Sequence, residues 1–463
     1  MGDATDPQPS ETVLPKQTWA SLLGKYPEVK FVWIRFSPVL GGLLAYMVPV
    51  QRFSRMIEDG QKCSVGTFNL THSGHDNSMA SDVPFCGSLY LEPDLQAVFP
   101  WFHMTSGAPR LEVFTRTLNE HGDPAVECPR TNLKGLEQKL AQQYQSNILV
   151  GVEVEVIFIR NSDRDGLDPL DQSIVHRSHV FAGATAAMKR TTVAMVEEIV
   201  TKALDMGIEI DRYHAEMTPG QWEFSLLPQT PVQAIDMLLQ FREVLEIIAR
   251  EHGFMATMHP EPFSGRLGSG VHMHISWNSP VGAEQADDRE TAQAESFFAG
   301  MIEHLPAIVG VAAPLDVSFQ RLKRLCVDDV FWGWNNRYAP LRRITSNRFE
   351  FRLMCGTANP YLVLASILAA GSDGLHRGVN LRAGPCQFPS VDLSEDDRSD
   401  LGIVAKIPRD IEEATESLRR DVVLATYLGQ PLVQAYLHSI VSYNQRLRQM
   451  NPAEQSRFLI EIY

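Results

Sequence analysis

The sequence predicts an α+β protein in which a small β-rich domain is followed by a larger domain of strands and long helices. Three observations favour this fold class. Residues from Val29 to Phe36 are mostly β-branched or aromatic, which is typical of a strand. Leucines recur at helical spacing between Asn132 and Tyr144. Beyond that segment, amphipathic helical patterns alternate with strand-like runs that carry charged residues in their interiors.

Residues 1–15 are polar and are expected to form a mobile tail, followed by the β-rich domain at 16–130 and the larger domain at 131–463. Within the larger domain, helices are predicted at 188–206, 231–252, 361–371 and from 411 onwards.

Charge and composition limit the partners of the chain. It has 463 residues and a formal net charge of -15, whereas nucleic-acid and anionic-membrane surfaces need clustered basic residues, so neither partner is expected. The six cysteines are scattered without a C-x-x-C pair, which favours reduced thiols. No run approaches the roughly 18 apolar residues of a membrane span. We therefore expect a cytoplasmic protein without a membrane partner.

Two motifs carry paired glutamates. Glu153 and Glu155 alternate with valines, so both point to one face of a strand. A turn at Pro219-Gly220 would let a hairpin bring Glu216 and Glu223 towards each other. Taken alone, each pattern is explained more simply by a solvated acidic face.

Two further motifs carry histidines and arginines. After a glycine-rich turn that begins at Gly268, His272, His274 and Ser276 share one strand face. Later, Arg348, Glu350 and Arg352 alternate with two phenylalanines. A structural His-x-His pair and a surface ion-pair strip are the alternatives.

Together the four motifs point to one chemistry. Five glutamates, two histidines and two arginines lie in strand-like segments, several with strongly apolar opposite faces. If these strands share a sheet, the carboxylates repel one another, and Mg²⁺ or Mn²⁺ would relieve that repulsion. The added arginines favour a metal-bridged phosphate, as phosphoryl transfer requires.

At this point the sequence resembles the glutamine synthetase family. The motifs are E-x-E, H-x-E…G-Q-x-E, G-S-G-x-H-x-H-x-S, N-R…R and R-x-E-x-R followed by A-N-P-Y, in family order from about Glu28 to Tyr463. The resemblance implies an N-terminal β-grasp domain, a catalytic domain with a curved antiparallel sheet, and a homo-oligomeric ring (decamer or dodecamer). It also implies ATP, Mg²⁺ or Mn²⁺, and small-molecule acid and amine substrates.

The resemblance also implies roles for residues. The metal ligands would be Glu155, Glu216 and Glu223 at one site and Glu153, His272 and Glu350 at the other. Positions around ATP would be His274, Ser276, Arg342 and Arg348; Arg337 and Arg342 would be catalytic, and Gly268, Arg321 and Arg352 would engage the acid. ATP would phosphorylate the carboxylate of the acid, and an amine would then displace phosphate to form the amide.

The chain departs from the family pattern where the amine should bind. Ser64 stands where the family carries an ammonia-site aspartate, and the stretch between Arg321 and Arg337 lacks the flap glutamate. Asp328 or Asp329 could substitute, although the spacing differs. Because an ammonium site needs negative charge and a base, these losses favour a different amine. A polyamine would itself favour an acidic pocket, so a less charged amine is equally compatible.

Two departures concern the acid. Leu267 replaces an asparagine and Glu261 replaces a lysine, so the acid is glutamate or a relative of it. An ordinary glutamine synthetase and a non-catalytic relative with a structural or signalling role are the alternatives. Outside the family motifs, His72, His75 and Asp76 are interpreted as a polar loop, and Cys355 as a packing residue.

Overall fold

Two sheets, each covered by helices, organise the chain in the computed structural model, which describes residues 15–71, 86–102, 107–160, 190–263, 265–278, 288–325 and 328–463. Among these residues five strands form the first sheet, in the order β2-β1-β5-β4-β3. They are β1 (Phe31–Phe36), β2 (Leu44–Pro49), β3 (Cys63–Gly66), β4 (Ser88–Trp101) and β5 (Arg110–Leu118). Only β1 and β5 pair in parallel within this described sheet.

The second sheet has eight described strands in the order β11-β12-β13-β10-β6-β8-β7, with β9 paired to β6. They are β6 (Asn147–Arg160), β7 (Ile210–Ala215), β8 (Gln221–Gln229), β9 (Phe254–Thr257), β10 (Val271–Asn278), β11 (Trp332–Trp334), β12 (Leu341–Thr345) and β13 (Arg348–Phe351). The sheet is antiparallel apart from the β11–β12 pair. The α+β class predicted from the sequence is therefore confirmed.

Helices surround both sheets. In the part of the chain that is described they are α1 (Pro15–Lys25), α2 (Val50–Asp59), α3 (Pro129–Tyr144), α4 (Arg190–Asp205), α5 (Pro231–Glu251), α6 (Asp288–Glu303), α7 (Leu305–Ala312), α8 (Asp316–Arg324), α9 (Pro360–Arg377), α10 (Glu395–Asp400), α11 (Ile411–Arg420), α12 (Val422–Leu428), α13 (Gln430–Leu447) and α14 (Pro452–Ile462). The helix predicted at 188–206 is described from Arg190 to Asp205, and residues 188 and 189 lie outside the described residues. No described helix has the length and apolarity that crossing a membrane would require.

Buried polar contacts join the first sheet to the second. Arg130 of α3 donates to Asp236 of α5 at 2.9 and 2.7 Å and to Asp94 of β4 at 2.9 Å. Asn359, which caps α9, donates to the carbonyl oxygens of Pro38 and Val39, each at 3.0 Å. A buried charge is stable only when it is paired, so these contacts fix how the small sheet sits against the helices of the large one.

Candidate active site on the large sheet

Four strands bring the charged motifs to one face of the large sheet. Since β6 lies between β10 and β8, His272 stands opposite Glu153, and Glu223 stands opposite Glu155. On the other side of β10, β13 contributes Glu350. Cross-strand neighbours project to the same face, so strand register alone gathers residues that are far apart in sequence.

His272 lies at the centre of this carboxylate cluster. Its Nδ1 is 3.3 Å from Glu350 Oε1 and 3.5 Å from Glu153 Oε2, and its Nε2 is 3.7 Å from Glu155 Oε1. His274 Nε2 lies 3.2 Å from Glu153 Oε1. Burial alone would raise the pKa of Glu153, but hydrogen bonds from both imidazoles outweigh it and hold that pKa well below its ordinary value. Glu153 is therefore a carboxylate near neutral pH.

The hairpin of β7 and β8 supplies the other side of the cluster. Burial and the charges of Glu155 and Glu223 raise the pKa of Glu216. His214 Nε2 is 3.2 Å from Glu223 Oε1, and its Nδ1 is 3.8 Å from Glu216 Oε1. The hydrogen bond to Glu223 raises the pKa of His214 in spite of burial. Sequence reasoning did not select His214, although its alternation with Glu216 on a strand was a usable signal.

The cluster has the donor chemistry of a divalent-cation site. Among the described residues of this face, three groups offer ligand atoms within 4.8 Å of one another: Glu153, His274 and Glu350; Glu153, Glu223 and His272; and His214, Glu216 and Glu223. Carboxylate oxygens with one imidazole suit Mg²⁺ or Mn²⁺. Burial is the main cause of the raised pKa of Glu216, and the repulsion from Glu155 and Glu223 that adds to it is the kind that a bound cation relieves. The residues therefore fit the metal, while the division of ligands between two ions stays a prediction.

Arginines close the cluster on the β12–β13 side. Arg342 Nη1 donates to Glu350 Oε2 at 2.9 Å, and Arg352 donates to Glu350 Oε1. Glu350 is fully buried, and burial alone would raise its pKa, but the charges of His272, Arg352 and His274 lower it. The surface ion-pair strip considered for this motif does not describe it, because the carboxylate is fully inside.

The remaining residues that are predicted to bind phosphates lie on β10 and β13 and in the loop between β11 and β12. Arg348 stands opposite Ser276 across the β10–β13 pair. Arg337 is exposed in the loop between β11 and β12. Buried Asn336 holds this loop by donating to the carbonyl oxygen of Cys386 at 2.9 Å. The backbone of this loop is therefore held in place, while the exposed side chain of Arg337 stays accessible to a ligand.

The glycine turn before β10 connects the acid-binding positions with the metal positions. A Cβ at residue 268 would lie 1.3 Å from the carbonyl oxygen of Pro260, and one at residue 270 would lie 1.9 Å from Arg321 Nη2. Residue 268 therefore requires glycine, because the clash is with backbone, whereas a side chain at residue 270 would displace the guanidinium of Arg321. The amide of Gly270 donates to Glu155 Oε2 at 2.7 Å, so the turn that packs on buried Arg321 also orients a predicted metal ligand.

The structure gives a partner to the unexpected Glu261. Its Oε1 accepts from Arg324 Nη2 at 2.6 Å and from the amide of Gly265 at 3.0 Å, and the side chain is buried. Arg324 lies one turn after Arg321 on α8. An ion pair therefore borders the turn where the family carries a lone lysine.

Asp328 and Asp329, the two aspartates that could substitute for the flap glutamate, lie between α8 and β11. Asp329 is buried and its Oδ1 accepts from Lys406 Nζ at 2.5 Å, so its charge is already balanced. Asp328 is exposed, as is Ser64 on β3. Cys355 is buried with its Sγ 3.9 Å from Arg321 Nη1, which agrees with a packing role. The positions His72, His75, Asp76 and Cys326 lie outside the described residues.

A separate histidine–carboxylate group lies among the helices. Glu303, His304 and Asp373 also offer ligand atoms within 4.8 Å. Here, however, Arg377 donates to Asp373 at 2.7 Å and to Glu303, while the ring nitrogens of His304 lie 2.6 Å from Asp421 and 3.2 Å from Asp373. Fixed cations balance these acids, so we assign this group a structural role.

Comparison with known proteins identifies the family. The model of the glutamine synthetase catalytic domain matches residues 126–454. The chain belongs to the glutamine synthetase family. It is 26% identical over 436 residues to a glutamine synthetase of Methanocaldococcus jannaschii, covering 89% of this chain and 91% of that protein. It is 30% identical over 440 residues to the protein FluG of Emericella nidulans, covering 94% of this chain. The chain spans about half (49%) of FluG.

Solved structures confirm the glutamine synthetase fold. Apo GmaS superposes with a TM-score of 0.75 and 24% identity, over 94% of this chain and 98% of that one. An ADP complex of GmaS superposes with a TM-score of 0.77 and 23% identity, over 95% and 98% of the two chains. With the family match, the chain is an ATP-dependent ligase that forms C–N bonds. Members of the family use ATP and divalent metal ions.

Proposed function

We propose that this glutamine-synthetase-like ligase joins glutamate, or a closely related acid, to an amine other than ammonia through an acyl phosphate. The observation that carries the proposal is a contrast within one site. The carboxylates and imidazoles of the metal positions lie together on one sheet face. Asp329, one of the two aspartates that could substitute for the missing flap glutamate, is instead paired with Lys406.

In the first step, in which ATP phosphorylates the acid, different residues of the sheet face would have different roles. Mg²⁺ or Mn²⁺ held by the carboxylate cluster would neutralise the phosphates of ATP. Arg348, His274 and Ser276 would hold the nucleotide, and Arg337 and Arg342 would stabilise the charge of the transferred phosphoryl group.

The acid would lie against the glycine turn. Buried Arg321 and half-buried Arg352 would bind its carboxylate, with Gly268 forming the wall. The Glu261–Arg324 ion pair lies beside the same turn, so the acid could be a relative of glutamate rather than glutamate itself.

The amine would then displace phosphate without a strong base from the protein. Ammonium must lose a proton before it attacks, and an acid near it both binds it and takes that proton. An amine that is larger or less charged can be positioned by packing instead. Ser64, which stands where the family resemblance places an aspartate, is exposed and adds no charge.

We further propose a ring-shaped homo-oligomer, a decamer or a dodecamer, in which the small sheet of one subunit completes the site of its neighbour. We also propose a cytoplasmic location.

The proposal is tested by ADP release with glutamate and a panel of amines that includes ammonia, methylamine and polyamines. We expect turnover with an amine other than ammonia to exceed turnover with ammonia. Turnover with ammonia alone would instead favour an ordinary glutamine synthetase. No turnover with any acid or amine would favour a non-catalytic relative.

A further inference from the structure

Arg212 of β7 extends to the carboxylate cluster from two strands away. It stands opposite Ser225 of β8, and Ser225 stands opposite Glu153 of β6. Ser225 is small and buried, so the arginine side chain passes over it. The guanidinium Nη2 lies 3.0 Å from Glu153 Oε1.

The guanidinium of Arg212 contacts the carboxylate of Glu153 at a position that a metal ion bound to Glu153 would occupy. The same oxygen lies 3.2 Å from His274 Nε2, so the guanidinium and an imidazole both lie against it. A divalent cation at Glu153 would repel Arg212 and compete with it for the carboxylate. Metal binding and the Arg212–Glu153 contact therefore oppose each other.

Arg212 can leave this contact at low cost. Its side chain is 58% exposed, and its second partner is Asp211, whose Oδ2 lies 2.8 Å from Nη1 and whose side chain is 49% exposed. Exposed ion pairs contribute little free energy, and long side chains exchange partners readily. Asp211 and Arg212 lie on the edge strand β7, so the guanidinium can swing without moving the buried strands.

We propose that Arg212 is a nucleotide-binding residue with two positions. In one it is paired with Glu153, and in the other, once the metal ion has displaced it, it binds the polyphosphate that arrives with that ion. A planar guanidinium suits this exchange because it binds carboxylate and phosphate with the same fork of donors. The inference rests on the proposed function, since it assumes that a metal-bound nucleotide lies over the sheet.

The exchange predicts opposite effects of one substitution. Without the guanidinium, Glu153 is free to bind a metal ion, so Arg212→Gln should bind Mn²⁺ more tightly when nucleotide is absent. The same variant should bind ADP with Mg²⁺ more weakly, because a phosphate contact is lost. A residue with only a structural role would not shift the two affinities in opposite directions.

The test measures Mn²⁺ binding by electron paramagnetic resonance and ADP–Mg²⁺ binding by calorimetry, on the full chain and without turnover. For Arg212→Gln we expect Mn²⁺ affinity to rise and ADP affinity to fall, each by about tenfold, the change that one charged contact of 1.4 kcal/mol produces. The Mn²⁺ and ADP affinities of Arg212→Lys should lie between those of Arg212→Gln and those of the wild type. Arg250→Gln is the matched control, because Arg250 is an exposed arginine paired only at 3.8 Å with Glu246 in the described structure.

Unchanged affinity for either ligand in Arg212→Gln would overturn the inference, as would a loss of both affinities. Failure of the proposed function is distinguishable: turnover with ammonia alone leaves both binding measurements intact, whereas a non-catalytic relative would show a wild type that binds neither Mn²⁺ nor ADP.

Discussion

The two halves of the site differ in how they are built. The proposed metal–nucleotide half lies on β6, β8, β10 and β13, where strand register fixes each charged side chain against its neighbours. The proposed amine half would fall on β3 of the small sheet and on the segment after α8, where Ser64 and Asp328 are exposed. The first half keeps its acids at the cost of mutual repulsion, whereas the second half has a serine in place of the ammonia-site aspartate and lacks the flap glutamate. Selection on the phosphoryl-transfer step and on the amine can therefore act separately.

The largest expected effect is in the metal–nucleotide half. Replacing Glu350 with alanine removes a predicted metal ligand and leaves Arg342 and Arg352 without their shared partner. A metal ion contributes several kcal/mol to charge stabilisation in the transition state, so ADP release should fall by about 10³-fold or more. The measurement is metal-dependent ADP release, with Glu416→Ala as an exposed control that pairs with Arg419 and Arg420. Activity within a few-fold of wild type would refute the metal assignment.

An intermediate effect is expected in the amine half. Ser64→Asp introduces a carboxylate where the family resemblance predicts the ammonia-site aspartate. One charge near the amine is worth about 1.4 kcal/mol at partial exposure, so kcat/KM for ammonia should rise about tenfold. Ser64→Ala, which adds no charge, is the control. An equal response of both variants would place the amine site elsewhere.

The smallest effect is on stability. A ligand at 100 times its Kd stabilises the folded state by about 2.7 kcal/mol, so Mn²⁺ should raise the Tm by a few degrees and a chelator should reverse the rise. Differential scanning fluorimetry measures this shift. Glu350→Ala should lose most of it, whereas His304→Gln, which alters the helix-bound group, should keep it. If the Tm shift were lost in His304→Gln but kept in Glu350→Ala, the metal ion would instead bind at the group that contains His304.

The sequence was most informative where functional residues conflict with the usual burial pattern of a strand. Glutamates in strands with valines on the opposite face, such as Glu153 and Glu155, conflict with simple burial, and that conflict identified the cluster. The helix at 231–252 was equally readable, since its apolar spacing reproduces α5 to within one residue. Local pattern sufficed in both cases because the period of a strand or a helix is a local property.

Contacts that depend on the register of several strands could not be predicted from the sequence. Arg212 reaches Glu153 only because Ser225 lies between them, and no spacing in the sequence records that alignment. The Glu261–Arg324 and Asp329–Lys406 pairs join segments 63 and 77 residues apart. A single sequence shows such residues as departures from a pattern, and only the fold shows which partner compensates for each one.

The most direct test of the central claim is a competition between amines. The enzyme is given ATP, Mg²⁺, glutamate and equal concentrations of ammonia, methylamine and a polyamine, and the amide products are quantified by mass spectrometry. The account predicts that an amide of methylamine or of the polyamine outweighs glutamine. A product mixture that consists almost entirely of glutamine would contradict it.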